Sequence, residues 1–596
     1  MGSFPAETIG AILHERPPEL SSVDRGLPKA LEDVVGKCLA KDAGERYQTM
    51  EQVARNLHAA RGDERTAGVP ATHTGKAEVD DTNRRGAVLT DAGTARKASG
   101  VGHLTSGGSR RRWGVLLTAA GAIILAAALG YYLYSARGGE AIDSIAVMPF
   151  VNVGNDPNAE YLSDGISDSL INSLSQLPNL KKVISFNSVL SYKGKQLDPQ
   201  AVGRELNVRA VLMGRLTLRG DEVLISTELI DVQDKKRLWG GQYNRRLADV
   251  LPLQSEIAQE ISERLRLKLT GEEKQRLAKR STTNPEAYQL YLLGRFYRRN
   301  RDHQKARDSL EQAIKKDPNY APAYAQLAYT YSNAAVSSDW SSRKEARERQ
   351  ERAVQRALEL DDTLGDAHAA LALTMFDWSV RSREFERALE LDPNSADVHF
   401  FYAGMLWSRR RIDEAVLHMK RAVELDPLSP AMQSDLGKIL YSAGQRAQAM
   451  EQYRKALDLN PNYVNVHKHL ASFYLAEGRY EEAIAEAEKL SANAPDKGAG
   501  RSFLGYTYAV AGQRAEAEKI LHELQAEAKQ RHVNSDAFAL IYTGLGDKDR
   551  AFEFLRKEVE ENKSLPFFIN VLPEWDSLRT DPRFEQLIRQ SEFHRE

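Results

Sequence analysis

The residues whose types could do chemistry fall into four small groups. Asp164-Gly165 stands where a helix is expected over about 162–176, so a phosphate or metal turn is one reading. A turn followed by an acidic charge at a helix N-terminus is the other, and we adopt it, because no base, nucleophile or histidine accompanies the pair. His467 and His469 are two residues apart and point to different sides of a helix. They are expected to be scattered surface histidines and not a shared metal site. Cys38 is the lone cysteine, which excludes a disulfide scaffold and any multi-cysteine zinc or iron–sulfur centre. The fourth group is a run of aromatic and basic residues: Tyr288, Tyr291, Arg295, Arg298, Arg299, Tyr329, Asn333, Phe400, Trp407, Lys438, Tyr441, Lys468 and Tyr506. Such side chains suit recognition of an extended peptide carrying acidic groups. Inter-repeat packing is the competing reading at each position. We expect no catalytic residue, no metal and no cofactor.

The elements that position the fourth group come from a 34-residue period. Pro393, Pro427, Pro461 and Pro495 are evenly spaced, with Pro318 marking an earlier unit. From residue 430, Leu436, Gly437 and Leu440 are followed by Ala449, Tyr453, Ala456 and Pro461; from 287 the same places hold Leu293, Gly294, Tyr297, Ala306, Leu310, Ala313 and Pro318. Small residues let two helices approach, large apolar ones fill the space between them, and proline ends the second helix. The pattern resembles the tetratricopeptide repeat. It gives eight repeats over 287–565: 287–320, 321–364, 365–395, 396–429, 430–463, 464–497, 498–531 and 532–565, with an insertion near 336–346. The resemblance implies an all-α superhelix whose groove carries the thirteen residues named above. Residues 566–596, with Trp575, Leu578, Phe584 and Leu587, are expected to cap it.

Residues 142–270 read as mixed α/β. Strands are expected at 144–150, Lys181–Phe186, Ala210–Arg219 and Glu222–Asp231, with a turn at Arg219–Glu222 and an amphipathic helix over Gln254–Leu269. Ile145-Ala146-Val147-Met148-Pro149-Phe150, Tyr161-Leu162-Ser163-Asp164-Gly165-Ile166, Ser191-Tyr192-Lys193-Gly194-Lys195, Val208-Arg209-Ala210-Val211-Leu212-Met213-Gly214 and Leu238-Trp239 make the segment similar to the TolB-amino-terminal-like domain. That family brings no established chemistry.

Residues 113–134 contain no charged side chain and carry Trp113 at one end and Tyr131, Tyr132 and Tyr134 at the other. This fits a single transmembrane helix. Arg96, Lys97, Arg110, Arg111 and Arg112 precede it, whereas only Arg137 lies just beyond it, so the N-terminus is expected in the cytoplasm and residues after about 137 outside it, at the inner membrane. Residues 61–112, poor in large apolar side chains, read as a flexible cytoplasmic linker.

In residues 1–60, Glu7-Thr8-Ile9, Ala11-Ile12-Leu13, Pro17-Pro18, Cys38-Leu39-Ala40-Lys41-Asp42 and Glu45-Arg46-Tyr47-Gln48 resemble the end of the C-lobe of bacterial Ser/Thr protein kinases, with Ala43 in place of the family's proline. The glycine-rich loop, the strand lysine, H-R-D-x-x-x-x-N and D-F-G are absent, so this chain is not expected to transfer phosphate. A truncated kinase is preferred over a remnant.

The whole reads as a multidomain protein: a helical kinase C-lobe fragment, one transmembrane helix, a mixed α/β domain and an all-α repeat superhelix. With 82 Lys+Arg against 83 Asp+Glu it is not a bulk-charge nucleic-acid binder. We expect a membrane-anchored sensor whose repeats bind a protein or peptide partner; a homo-oligomer stays open. The alternatives are a fragment of an active transmembrane Ser/Thr kinase that uses ATP, and an inert structural envelope scaffold.

Overall fold

The computed structural model describes residues 142–154, 157–279, 282–300, 302–334, 343–375, 377–494, 497–531, 533–562 and 569–590, together with Lys37. Apart from Lys37, the kinase-like segment, the linker and the apolar run 113–134 lie outside the described residues, as do 591–596. Among the described residues no helix is long and apolar enough to cross a membrane.

The α/β module is one sheet of six strands: β1 Ser144–Val147, β2 Val151–Asn152, β3 Lys182–Val183, β4 Ala210–Arg219, β5 Glu222–Asp231 and β6 Lys236–Arg246. The order is β3-β1-β4-β5-β6, with β2 also on β4. β1 is parallel to β3 and β4; β4, β5 and β6 form an antiparallel meander. Val223, Ile225, Thr227 and Leu229 alternate inward along β5, as a half-covered strand requires. Gly220, at φ +62°, takes the left-handed place in the two-residue turn before it. Helices α1 Pro157–Ser175 and α4 Val250–Arg264 flank the sheet; α2 Phe186–Leu190, α3 Pro199–Glu205 and α5 Gly271–Ala278 are shorter.

Several expectations change, and the strand expected at 144–150 ends at Val147. The strand Lys181–Phe186 shrinks to two residues, because Ser185 caps α2 by accepting from the Ser188 N–H. The helix Gln254–Leu269 moves forward, starting at Val250 and ending at Arg264, since Arg266 adopts φ +60° and Thr270 opens α5 through a capping box with Glu273. β6 escaped notice because Gly240-Gly241 and its terminal arginines mask the alternation. Asp164-Gly165 sits inside α1 and not at its start.

The repeat array consists of helix pairs, A then B: Pro285–Arg299 with His303–Lys316, Ala321–Ala334 with Arg343–Leu360, Gly365–Thr374 with Trp378–Leu391, Ala396–Ser408 with Ile412–Leu425, Pro430–Ser442 with Arg446–Leu459, Val464–Ala476 with Tyr480–Asn493, Lys497–Val510 with Arg514–Ala528, and Ser535–Gly544 with Lys548–Asn562. Trp575, Leu578, Phe584 and Leu587 of the C-terminal segment join one buried cluster with Phe538 and Phe552 of the last pair. At the other end, the core of the α/β module runs without a break into Leu292, Leu310 and Tyr320 of the first repeat.

Close helix approach depends on Gly437: a Cβ there would lie 2.5 Å from the Tyr453 ring and 3.1 Å from the Ala449 carbonyl oxygen. Gly404, by contrast, has nothing within 4 Å of such a Cβ. Gly437→Val is therefore expected to cost about 1–3 kcal/mol by overpacking. Gly404→Ala should instead stabilise by about 0.5–1 kcal/mol through helix propensity. Denaturant melts of the two variants check both signs.

Candidate functional site

The α/β module docks on the repeats, and the contact adds charged and polar pairs to the shared apolar core. α1 lies along helix A of repeat 1, where Gly165 allows close approach: a Cβ at that position would meet Leu292 Cδ1 at 2.8 Å. One turn further on, the buried Asp168 carboxylate takes Arg295 at 2.8 Å and Arg299 at 2.7 Å. Arg295 also donates to the Tyr291 hydroxyl (3.3 Å). Burial works against its charge, but Asp168 outweighs it and holds the guanidinium above its usual range. The Arg299 guanidinium lies 4.1 Å from the centre of the Phe186 ring, and burial lowers its affinity for the proton. Tyr288 is buried, receives a hydrogen bond from Ser169 (3.1 Å) and donates to Gln254 Oε1.

The second part of the contact is periodic. Each helix B of the first four repeats ends on an aspartate, Asp317, Asp361, Asp392 and Asp426, and each carboxylate is met from the module or the stretch after it. Thr282 donates to Asp317 at 2.5 Å, Lys279 pairs with Asp361 at 2.7 Å, Ser175 donates to Asp392 at 3.0 Å and Ser188 to Asp426 at 2.5 Å. The backbone joins in: Ser185 N–H donates to Leu425 O (2.8 Å), and Asn394 Nδ2 to Leu180 O (2.8 Å). In repeats 5 and 6 the same position holds Asn460 and Ala494, and the ladder ends. The four aspartates were missed in the sequence although the signal was there: Asp at 317, 361, 392 and 426, then Asn460 and Ala494, each just ahead of an inter-repeat turn.

Burial affects the rungs unequally. At Asp361 it raises the pKa, but Lys279 and Thr363 outweigh it and leave the group below its usual value. At Asp426 burial wins over its serine and asparagine donors. Asp392 is pushed up to about 7 by burial and by neighbouring Asp366, against the pull of Ser175.

Between module and repeats lies a cavity of about 480 Å³. Asp168, Gln254, Arg298, Gln326, Tyr329, Asp366, Asp392 and Asp397 are among its lining residues.

The thirteen residues expected in a groove are thus divided. In repeat 1, Tyr288, Tyr291, Arg295 and Arg299 serve the internal contact, and Arg298 lies over the Tyr329 ring (5.7 Å) at the cavity wall. They do not face an open groove, because the chain's own α/β module sits there. The Asn333 side chain lies outside the described residues. Trp407 is buried, donates to Ser442 (2.9 Å) and lies under the Lys438 ammonium (4.6 Å), which pairs with Asp435 (2.7 Å). Half-buried Phe400 meets Phe401 edge-on, Tyr441 meets Phe473 at 5.2 Å, and Lys468 reaches over Phe503, which neighbours buried Tyr506.

The histidines are not surface residues. His467 is buried between Glu486 (2.6 Å) and the Pro461 carbonyl (3.0 Å), and His469 meets Ser434 (2.9 Å). His399 and His368 likewise reach the Pro393 and Asp362 carbonyls, and Gln433 the Pro427 carbonyl, so one helix A position repeatedly ties down the preceding turn. Among the described residues no group of three or more His, Cys, Asp or Glu side chains could hold a metal.

Known proteins match this layout in pieces. Residues 287–320, 309–349, 382–430, 440–504 and 474–540 match tetratricopeptide repeat families. Residues 141–267 match the second domain of HilA/YgeH-like transcriptional regulators. A curated relative, "Putative adenylate cyclase 3" of Rhizobium meliloti (strain 1021), is 37% identical over 188 residues; the match takes 31% of this chain and spans only 32% of that protein. Among solved structures, Pseudomonas aeruginosa pilF is 25% identical with a TM-score of 0.28, covering 35% of this chain and 90% of its own. Yeast Tom70 is 16% identical with a TM-score of 0.33, covering 51% and 65%. YrrB, a TPR protein described as having an unusual peptide-binding site, is 20% identical with a TM-score of 0.22, covering 30% and 89%. The array is a tetratricopeptide repeat module, a fold that binds protein or peptide partners.

Two variants probe the contact. Asp168→Ala leaves two buried guanidinium groups without their carboxylate and should cost about 3–5 kcal/mol in a denaturant melt. Asp392 gives a pH signature. Its folded pKa lies above the unfolded value, so the folded state holds the extra proton and stability is lost as pH rises from about 4 through about 7. Asp392→Asn keeps an acceptor for Ser175 without the charge. It should raise the melting temperature at about pH 8 and leave it nearly unchanged at about pH 4.

Proposed function

We propose that this chain is the partner-recognition part of a membrane-anchored signalling protein, in which the repeats bind an extended acidic segment of a protein partner. The observation that supports this is where the ladder stops. Repeats 1 to 4 are engaged by the α/β module, whereas the caps after Asp426 are Asn460 and Ala494, and the half-buried Tyr441 and Lys468 belong to the repeats beyond it. An aromatic and a lysine on successive A helices offer stacking and charge to a strand-like ligand.

In this reading the chain performs no catalytic step. The α/β module, TolB-like in its sequence, acts as a rigid platform; the apolar run 113–134 anchors the chain; and the kinase-like residues 1–60 lie on the cytoplasmic side as the output end. The match to the second domain of HilA/YgeH-like transcriptional regulators falls on the module alone.

A photo-crosslinking residue placed at Tyr441 of the full-length chain, in its native membrane, should give one discrete adduct that Lys468→Glu abolishes. An adduct formed only from position 417, where Leu417 is 67% exposed on helix B, would move recognition to the outer face. No adduct from either position would end the reading. Separately, protease added outside intact spheroplasts should digest the repeats; full protection would reverse the proposed topology.

A further inference from the structure

The cavity between the α/β module and the repeats is built to be filled by polar groups. Asp366 accepts from Gln326 Nε2 at 2.9 Å, which fixes the amide so that Oε1 is the free atom. Gln326 is only 2% exposed, and that acceptor has no hydrogen-bond partner. On the α/β module's side, in the helix Val250–Arg264, the Tyr288 hydroxyl fixes Gln254 in the same way, leaving Nε2, a buried donor, without one. Arg298 Nε is a further buried donor without a partner. A buried polar atom left unpaired costs about 1–3 kcal/mol, so orphans of both kinds on one cavity call for a ligand that supplies both kinds of partner.

The charges of the wall are also sorted. Asp168 is already satisfied by Arg295 and Arg299, and Asp361 by Lys279. What remains on the wall is Asp366, Asp392 and Asp397 beside Arg298, and among the described residues none of these four takes part in a salt bridge. Asp397 lines the cavity, where loss of hydration pushes its pKa up to about 6 against the pull of Arg298. Tyr329 and Phe401 supply an apolar and aromatic side.

We propose that this cavity binds a free amino acid as its zwitterion, the ammonium group held by Asp366, Asp397 and Gln326 Oε1, and the carboxylate by Arg298 and Gln254 Nε2. An ammonium group with N–H donors answers the orphan acceptor; a carboxylate answers the orphan donors. The volume, several times that of the two head groups, leaves room for a large side chain against Tyr329 and Phe401. This site lies on repeats 1 to 4 and is separate from the peptide face proposed on the later repeats, so either can fail alone.

The test is thermal unfolding of the full-length chain in detergent with each proteinogenic L-amino acid at about 10 mM, a concentration that reveals even millimolar affinity. At least one with a large side chain is expected to raise the melting temperature. Calorimetric titration then compares that amino acid with its decarboxylated amine and its deaminated acid, each of which should bind at least tenfold more weakly. Asp397→Asn should weaken the amino acid and the amine at least tenfold, and Arg298→Gln the amino acid and the acid, while both variants stay folded without ligand, Asp397→Asn melting at or above the parent near neutral pH because it removes a charge that burial disfavours. If no amino acid shifts the transition, if the amine alone binds as well as the amino acid, or if Asp397→Asn binds unchanged, the proposal is wrong.

Discussion

A carboxylate at the C-terminus of a helix faces the negative end of the helix dipole and needs a donor or cation from outside the helix. This chain places one there four times in succession, at Asp317, Asp361, Asp392 and Asp426. The turn after the helix supplies part of it, Asn319 N–H to Asp317 at 3.0 Å and Thr363 N–H to Asp361 at 3.1 Å, and the module supplies a further partner. The α/β module and the stretch joining it to the repeats bring Thr282, Lys279, Ser175 and Ser188 to those places. The same contact holds the close passage of α1 at Gly165, the double arginine on Asp168, and the unbroken core from the sheet into the first repeat.

The contact also explains why an array of short repeats holds its N-terminal end closed. A repeat exposes an apolar face wherever it has no neighbour, and terminal units need a cover. At the C-terminal end Trp575, Leu578, Phe584 and Leu587 provide it. At the N-terminal end the cover is a whole domain, with Leu292, Leu310 and Tyr320 completing its core. The module is therefore fixed on repeat 1, and the orientation of its sheet is set by the superhelix.

The periodic parts of this architecture were legible in the sequence, and the parts that depend on juxtaposition were not. Proline spacing and the small residues Gly294, Ala306, Gly437 and Ala449 report helix pairing directly, since each acts within its own repeat. β4 and β5 were equally plain, as alternation and a glycine turn are local. By contrast, Tyr288, Tyr291, Arg295 and Arg299 read as groove residues because nothing within helix A tells whether the space in front of it is filled by solvent or by α1. The histidines misled for the same reason: the carbonyl that buries His467 belongs to the preceding turn. The acids of the ladder carried a signal in their phase with the prolines, which reports their local role of accepting from the N–H two residues on, as at Asp317, Asp361 and Asn460; their second role, toward the module, depends on juxtaposition.

The ladder has a bearing on how such an array can change length. Its rungs follow the module by position, so inserting or removing one unit among the first four would put a cap aspartate opposite the wrong donor. Beyond Asn460 no such register exists. Gain or loss of whole units, the usual way in which repeat arrays diversify, is thereby confined to the C-terminal half: the first four repeats are of fixed number, and the rest form the adjustable length of the protein.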